Sequence, residues 1–393
     1  MILTPLFSEF RRPLLRALSS LLASAALGTP AGASAQEYFA YFGTYTGKSS
    51  KGIYVSRFTP RDGRLSPAQL AAESPDPSFL ASHPNGRFLY AVNEVSEFQG
   101  EKGGGVSAFQ IDPATGSLTL LNHQSTKGAA PCHLVVDPSG RAVLVANYGG
   151  GSVASYPLGA DGRIGPVASF IQHTGKGTNP QRQEGPHAHS IYVDPIRRHA
   201  VVADLGLDKV LTYQFDPTTA RLTPNMPPFV ALTPGAGPRH LAFSPAGRFA
   251  YAINEMQSTI SVLAYNAQTG EFRLGDSHPT LPAGFKGESS TAEIMMHPTG
   301  KFLYGSNRGH DSIAVFSVDP AGGKLQLLQH QAIGGKTPRG FVIDPTGGWL
   351  LVGNQGSDQV TTFRIDRSTG RLTPSGTPLP VGSPVSISFV RLK

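Results

Sequence analysis

Short hydrophobic runs recur along most of the chain, each bounded by Gly, Pro, Asn or Asp. Phe249–Asn254 and Thr259–Tyr265 illustrate the pattern, since both are apolar or alternating runs with turn residues between them. Runs of this length and composition are typical of β-strands. The pattern therefore predicts a chain of strands without helices, connected by tight turns.

Two turn motifs separate these runs. The first has loosely the form Asp-Pro-x-Thr-Gly-x-Leu, in which Pro fixes φ, Asp or Asn bonds its own backbone, and Gly supplies positive φ. Its seven copies are Thr59–Leu65, Asp112–Leu118, Gly159–Ile164, Asp216–Leu222, Asn266–Phe272, Asp319–Leu325 and Asp366–Leu372. The second motif is built on Pro-x-Gly-Arg, and its six copies are His83–Tyr90, Asp137–Leu144, Asp194–Val201, Ser244–Tyr251, His297–Tyr304 and Asp344–Leu351.

The second motif returns at intervals of roughly fifty residues, the repeat length of a β-propeller blade. Each unit has the order strand, turn, strand, loop, strand, turn, strand. The seventh copy is missing because its blade is divided: Phe39–Thr44 matches the strand after the turn and Val385–Val390 the strand before it. We therefore predict an all-β, seven-bladed β-propeller over residues 36–393, with four-stranded antiparallel blades and a ring closed by the N- and C-terminal strands.

Residues 1–35 have a different composition. Arg11, Arg12 and Arg16 precede the apolar segment Leu18–Leu27, and the small residues of Ala31–Ala35 follow. This order is typical of a secretory signal peptide, and the apolar run is shorter than the roughly 20 residues of a membrane span. We predict cleavage after Ala35 and a periplasmic or secreted protein. An uncleaved anchor is one alternative, and a misassigned start codon with a cytoplasmic protein is another.

Composition narrows the function further. The net charge is +7, but no run of Lys and Arg resembles a nucleic-acid-binding tract. The excess charge fits either a basic surface or a cationic funnel for a small anion. The single cysteine, Cys132, cannot form an intramolecular disulfide, and we interpret it as a small buried residue.

Each Pro-x-Gly-Arg hairpin brings residues before the turn close to residues several places after it. We expect these flanks to surround the mouth of the central channel, where charged groups need pairing or a function. The flanks before the turns contain Cys132, His133, His187, His189, Arg239, His240, Glu293 and Arg339. The flanks after them contain Glu94, Tyr148, Asp204, Glu255, Arg308 and Gln355, together with Asn93, Asn147, Asn254, Asn307 and Asn354.

The repeated Asn residues predict structural hydrogen bonds, whereas the charged residues differ between blades, which favours a functional role. His187-Ala-His189 could hold a metal, but a third ligand would have to come from another blade. A polar channel lining fits this segment better. We predict that no metal or other cofactor is required.

Three segments, Gly237–Glu255, Ala292–Arg308 and Thr337–Pro345, resemble the bacterial lactonase-type seven-bladed propellers. This family includes propeller 6-phosphogluconolactonases and the related fungal carboxymuconate cyclases. The resemblance extends over about residues 37–393, and the Pro-Arg-His, Ala-Glu-Ile and Ser-Asn-Arg stretches are fairly specific to it. It implies metal-free hydrolysis, or the reverse formation, of a small acidic lactone. By motif, the implied catalytic residues are His189, Arg239, Glu255 and Arg308, with Glu293 and Arg339 nearby. Together with channel-mouth residues, the substrate-binding candidates are His133, His187, His240, Glu293, Arg339 and Gln355.

These observations leave two classes of function. In a lactone hydrolase, Glu255 or His189 would be the base, and Arg239 and Arg308 would bind the oxyanion of a small anionic lactone. The alternatives are a non-catalytic ligand- or protein-binding envelope propeller, or a muconate lactonising cycloisomerase. We expect a monomer or a weak dimer. A signal peptide is unexpected in a cytoplasmic pentose-phosphate enzyme, so the identity of the lactone stays open.

Overall fold

The structure, a computed structural model, describes residues 36–392. It consists of β-strands and two short 3-10 turns, Leu205–Leu207 and Gln355–Ser357. The strands form seven antiparallel sheets, one for each predicted blade, and one additional two-stranded hairpin. This confirms the all-β, seven-bladed β-propeller. The predicted signal peptide, residues 1–35, lies outside the described residues.

The first strand of each sheet contacts the first strands of the neighbouring sheets and is therefore the innermost. Blade 1 contains β31 (Pro384–Arg391), β1 (Tyr38–Thr44), β2 (Gly52–Thr59), β3 (Arg64–Leu65) and β4 (Gln69–Glu73). Blade 2 contains β5 (Leu80–Ser82), β6 (Phe88–Asn93), β9 (Gly105–Ile111) and β10 (Leu118–Ser125). It also carries a hairpin of β7 (Glu97–Phe98) and β8 (Glu101–Lys102). Blade 3 contains β11 (Pro131–Val136), β12 (Ala142–Asn147), β13 (Ser152–Pro157) and β14 (Ser169–Gln172), and blade 4 contains β15 (Ala188–Val193), β16 (His199–Asp204), β17 (Lys209–Asp216) and β18 (Arg221–Ala231). Blade 5 contains β19 (Pro238–Phe243), β20 (Phe249–Asn254), β21 (Thr259–Asn266) and β22 (Glu271–Pro279), and blade 6 contains β23 (Ser290–Met296), β24 (Phe302–Arg308), β25 (Ser312–Val318) and β26 (Leu325–Ala332). Blade 7 contains β27 (Pro338–Ile343), β28 (Trp349–Asn354), β29 (Gln359–Ile365) and β30 (Leu372–Pro380).

The two chain ends share blade 1. Strand β31 pairs with β1 in antiparallel register, so that Val390 lies opposite Phe39 and Ile387 opposite Phe42. The predicted sharing of one sheet by Phe39–Thr44 and Val385–Val390 is therefore confirmed.

Blades 1 and 2 depart from the simple four-strand repeat. In blade 1 the outer strand is divided into β3 and β4, both paired with β2. The interruption contains Pro67, which has no N–H to donate to a strand neighbour. In blade 2 the hairpin β7–β8 is inserted between β6 and β9. The turn motifs alone did not predict either feature.

The core consists of seven hydrophobic clusters, one at each junction between neighbouring blades. The junction that closes the ring packs Phe42 of blade 1 against Leu351 and Val360 of blade 7. At several junctions a buried tyrosine also crosses to the next blade, and Tyr251 Oη donates to the carbonyl of Gly323 at 3.1 Å. Packing between blades therefore fixes the position of every inner strand.

Three of the six Pro-x-Gly turns begin with an aspartate, Asp137, Asp194 or Asp344, that binds the backbone of its own turn. Asp344 is fully buried, and its carboxylate accepts hydrogen bonds from the backbone N–H groups of Thr346, Gly348 and Trp349 at 2.7–2.9 Å. Such local bonds satisfy the turn backbone and set the start of the following strand. The opposite ends of the same two strands are thereby placed side by side.

Candidate functional site

At the ends away from the turns, the inner strands carry β-bulges. Pro238 lies opposite Asn254, but the next pair is His240 with Ile253, so Arg239 is an extra residue in β19. Corresponding register shifts occur at Cys132 in β11, at His189 in β15 and at Arg339 in β27. Because a bulge redirects side chains, consecutive residues can face the same region.

Glu255, the residue after β20, lies at the centre of an ion-pair network. One carboxylate oxygen is 2.6 Å from Arg182, and the other is 3.1 Å from Arg239 Nε and 3.0 Å from Arg308. Burial by itself raises the pKa of Glu255, but the guanidinium groups of Arg308, Arg239 and Arg182 lower it to about 2. Glu255 is therefore ionised at any physiological pH.

His189 approaches the same carboxylate from blade 4. Its Nε2 is 3.8 Å from Glu255 Oε2, and its Nδ1 is 3.5 Å from the sulfur of Cys132. Burial, reinforced by the positive charge of Arg239, lowers the pKa of His189 well below its usual range, so the imidazole is neutral at pH 7. Burial also raises the pKa of Cys132, which keeps it a thiol.

A second carboxylate, Glu293, lies on the other side of Arg239. His240 Nδ1 is 2.8 Å from Glu293 Oε1, and His240 Nε2 is 3.2 Å from Arg239 Nη1. Burial raises the pKa of Glu293 to about 7, an effect that Arg239 offsets only in part. Burial and Arg239 also lower the pKa of His240. Arg239 thus contacts both carboxylate environments.

Arg339 belongs to a third group of contacts. Its guanidinium donates to Tyr45 Oη at 2.6 Å, and Tyr45 donates to Glu94 at 2.9 Å. Arg339 borders Glu293 and Arg239 across a gap of about 10 Å³. A space of that size holds at most one water molecule. This gap is therefore too small for a lactone.

The open side of the site is a cleft of about 530 Å³ above Glu255. Its rim carries Arg182, whose side chain is 42% exposed. The remaining lining residues are small, polar or flexible: Thr178, Asn179, Pro180, Gly235, Met256, Ser289 and Ser290. The cleft is therefore large enough to bring a polar molecule of the size of a sugar lactone to the carboxylate of Glu255.

Arg182 was not predicted from the sequence. It belongs to residues 173–187, a long connection from blade 3 to blade 4. Buried Gln183 fixes this connection: its side-chain oxygen accepts from the N–H groups of Thr178 and Asn179 at 3.0 Å, and its Nε2 donates to Asp208 at 2.7 Å. The length of the connection was the available signal, but spacing within a loop does not indicate which strand it will cover.

The structure separates the other predicted residues. Buried His133 packs against Phe79, with a ring-centroid distance of 4.2 Å, and lies behind the network beside His240. His187 lies nearer the surface, stacked on Tyr148. Gln355 begins a 3-10 turn and is half-buried, and among the described residues its side chain has no hydrogen bond that joins it to the network.

The repeated Asn residues make the structural hydrogen bonds predicted for them. Asn307 Nδ2, for example, donates to the carbonyl of Thr280 in the connection from the preceding blade at 2.9 Å and to Ser312 at 3.2 Å. The side chains of Asn147 and Asn93 make comparable bonds. These residues therefore fix the strand ends that carry Glu255 and Arg308.

No group of three His, Cys, Asp or Glu side chains within residues 36–392 could hold a metal ion. His187 is directed to Glu184, at 3.2 Å, whereas His189 is directed to Glu255. The two histidines therefore do not converge. Independence from metals stays a prediction.

Comparison with known proteins gives the family. Residues 39–389 match the family described as "Lactonase, 7-bladed beta-propeller". The chain belongs to this family.

Individual relatives agree with this assignment. The 6-phosphogluconolactonase of Bacillus subtilis is 38% identical over 308 residues, which are 78% of this chain and 85% of the relative. The structure of the periplasmic gluconolactonase of Pseudomonas aeruginosa is 36% identical, with a TM-score of 0.85 over 91% of this chain and 100% of that chain. In residues 36–392, no helix is long and apolar enough to cross a membrane.

Proposed function

We propose that this protein hydrolyses a small sugar-type lactone at the Glu255 site, without a metal ion. One observation carries the proposal: an ionised carboxylate, three guanidinium groups and a neutral imidazole meet beneath a polar cleft. The names of the two relatives, a 6-phosphogluconolactonase and a gluconolactonase, support a sugar lactone as the substrate. A site with these charged groups suits a reaction that converts a neutral ester into an acid through an oxyanion.

In this proposal His189 is the general base. Glu255 is the weaker candidate because both of its carboxylate oxygens are already engaged by the guanidinium groups of Arg182, Arg239 and Arg308. Neutral His189 can accept a proton from water at pH 7, and the charge of Glu255, 3.8 Å away, stabilises the resulting imidazolium. In this pair, His189 transfers the proton and Glu255 stabilises the positive charge that results.

The proposed steps balance as follows. Water attacks the lactone carbonyl carbon, a C–O bond forms, and the water proton moves to His189. The carbonyl oxygen becomes an oxyanion stabilised by Arg239 and Arg308, which are suited to bidentate binding of oxygen anions. Collapse of this intermediate breaks the ring C–O bond, and His189 returns the proton to the leaving ring oxygen. The product is a hydroxy acid, with no net change in the enzyme.

The test is a pH-stat screen of glucono-δ-lactone, its 6-phosphate and a muconolactone, corrected for spontaneous hydrolysis. We expect enzyme-dependent hydrolysis of a sugar lactone, with kcat/KM rising through an acid limb that lies below pH 6.5, since the pKa of His189 is lowered. An acid limb near pH 7 would instead implicate Glu293. No enzyme-dependent hydrolysis of any of these lactones would contradict the proposal.

We also propose a periplasmic location for the mature chain, beginning at Gln36. The pattern of residues 1–35 supports this location, as does the name of the Pseudomonas relative. N-terminal sequencing of protein from the envelope fraction should give Gln36. An intact Met1 on cytoplasmic protein would contradict it.

A further inference from the structure

A second concave site lies at the opposite ends of the strands, between blades 7 and 1. It is a cleft of about 520 Å³ that includes Trp349, Arg61, Arg364 and Arg367 in its lining. Trp349 begins β28, whereas the Glu255 site lies at the other end of the blades, so the two are separated by the length of a strand, roughly 17 Å. The cleft is therefore distinct from the proposed catalytic site.

The repeat itself shows that the fold does not require Arg364. Arg364 lies opposite Trp349, at the register position where the second strand of a blade begins. The only other arginine at this position is Arg57 in blade 1, which has Glu37 at 3.9 Å. The remaining blades carry uncharged residues there: Gln110, Pro157, Gln214, Ala264 and Ser317.

Arg367 and Arg61 are similar departures within the Asp-Pro-x-Thr-Gly turns. Other copies of the turn have Pro or Ala at the position of Arg367, namely Pro60, Pro113, Pro217, Ala267 and Pro320. At the position of Arg61 they have Ala114, Thr218, Gln268, Ala321 and Ser368. Three independent changes to arginine thus converge on a single cleft.

The charge of these arginines is not neutralised by the protein. Among residues 36–392, none of the three guanidinium groups has a carboxylate within 4.0 Å, in contrast to Arg163 and Arg273. Asp366 also lines the cleft, but its carboxylate accepts hydrogen bonds from Ser368 and Thr369 in its own turn. The cleft consequently presents net positive charge to solvent.

The walls of the cleft are fixed. The indole N–H of Trp349 donates to the carbonyl of Pro60 at 2.7 Å, and the Arg364 guanidinium lies 6.0 Å from the centre of the indole ring. Gly63, at φ +72°, lies so close to the ring that an added Cβ would come within 2.5 Å of it. The close contact across this junction therefore requires glycine.

From these observations we propose that the cleft binds a small multivalent oxyanion of the phosphate class. Planar, multidentate donors favour phosphate oxygens. Arg367 also donates to the carbonyl of Thr346 at 2.8 Å, but none of the three guanidinium groups has a carboxylate partner among residues 36–392, so together they match more than one negative charge. The oxyanion can belong to a free phosphorylated metabolite or to a phospholipid head group. This inference does not depend on the lactonase proposal.

Trp349 provides the assay, because it is the only tryptophan in the chain. Its fluorescence is followed while the full mature protein is titrated with inorganic pyrophosphate, and separately with phosphatidylglycerol vesicles. We expect a saturable change that Arg61→Ala and Arg367→Ala each weaken about tenfold, as expected for losing a charge-assisted hydrogen bond. Arg364 lies against the reporter ring, so its variant is not used.

Arg221→Ala is the matched control, because it removes the same charge from an exposed position at the start of β18 in blade 4. It should leave the affinity within twofold. A response to pyrophosphate assigns a soluble ligand, and a response to vesicles alone assigns a head group. The absence of saturation with both probes, or an equal loss in the Arg221→Ala control, would overturn the site.

Discussion

Glu255 and Glu293 are both buried and both lie beside Arg239, yet their environments shift their pKa values in opposite directions. Burial raises the pKa of Glu293 to about 7, because His240 and the single guanidinium of Arg239 replace little of the lost water. Glu255 is almost as buried, but the attraction of Arg308, Arg239 and Arg182 exceeds the cost of burial and lowers its pKa to about 2. The comparison shows that the number of adjacent cations, rather than depth, decides which carboxylate is charged.

The open cleft gives the second difference between these regions. Glu255 faces about 530 Å³ of accessible space, whereas Glu293 borders a gap of only about 10 Å³. Substrate can therefore contact the charged carboxylate but not the one whose pKa is near neutral. In the proposed reaction, Glu293 and His240 therefore position Arg239, and the chemistry takes place on the Glu255 side.

Removing Arg239 should have the largest effect, since it serves both regions. We expect Arg239→Ala to lower kcat/KM on the best lactone by roughly 10²–10⁴-fold, through loss of an oxyanion donor. Glu255→Gln should cause a loss in the same range, and because the residues act as a unit the double variant should be little worse than the worse single one.

Exposed Arg221→Ala is the control for this prediction and should retain wild-type turnover. Circular-dichroism melts establish that each variant is folded. If Arg239→Ala and Glu255→Gln are folded and retain near-wild-type turnover, the catalytic site lies elsewhere.

Arg182 tests the open side alone. We expect Arg182→Ala to raise KM for an anionic lactone, such as a 6-phosphate, about tenfold, because one charge-assisted hydrogen bond is lost. The KM of the unphosphorylated lactone should change less, and Arg182→Lys should recover part of the loss. Equal effects on both lactones would show that Arg182 only holds Glu255 in place.

The two carboxylates should also differ in how stability depends on pH. The pKa of Glu293 is higher in the folded protein than its ordinary value of 4.5, so its contribution is fully present below pH 4.5 and is lost as the pH rises through about 7. The Tm difference between Glu293→Gln and wild type should therefore become more positive by roughly 2–4 °C between pH 5.5 and 8.5.

Glu255→Gln is the matched comparison for this measurement. Because the pKa of Glu255 is lowered to about 2, its stabilising contribution is present above pH 4.5 and is lost only as the pH falls through 2. Its Tm difference from wild type should accordingly be constant between pH 5.5 and 8.5. If the Tm differences of the two variants from wild type changed equally with pH, the contrast between the two carboxylates would be wrong.

Metal removal should have the smallest effect. We expect prolonged dialysis against EDTA to leave kcat/KM unchanged, since His187 and His189 do not converge on a shared point. If EDTA abolished the activity and one divalent ion restored it, His187 and His189 would be candidate metal ligands. Treated and untreated enzyme should be assayed in the same metal-free buffer.

The sequence by itself determined the architecture. Turn residues such as the Asp344 and Pro345 pair act within a few positions, and strand alternation is equally local, so both were visible in the repeat. The missing seventh turn predicted the pairing of β31 with β1 because every blade repeats the same strand order. The turn that begins at Ser244 also placed Arg239 and Glu255 at one end of the same hairpin.

Only the tertiary structure decided which of these residues meet and in what charge state. The bulge at Arg239 redirects two consecutive side chains, and a two-residue alternation cannot predict it. Arg182 reaches Glu255 from a connection 73 positions away, supported by Gln183. The opposite pKa shifts of Glu255 and Glu293 are sums of burial and charge from several blades, and such sums exist only once the ring has closed.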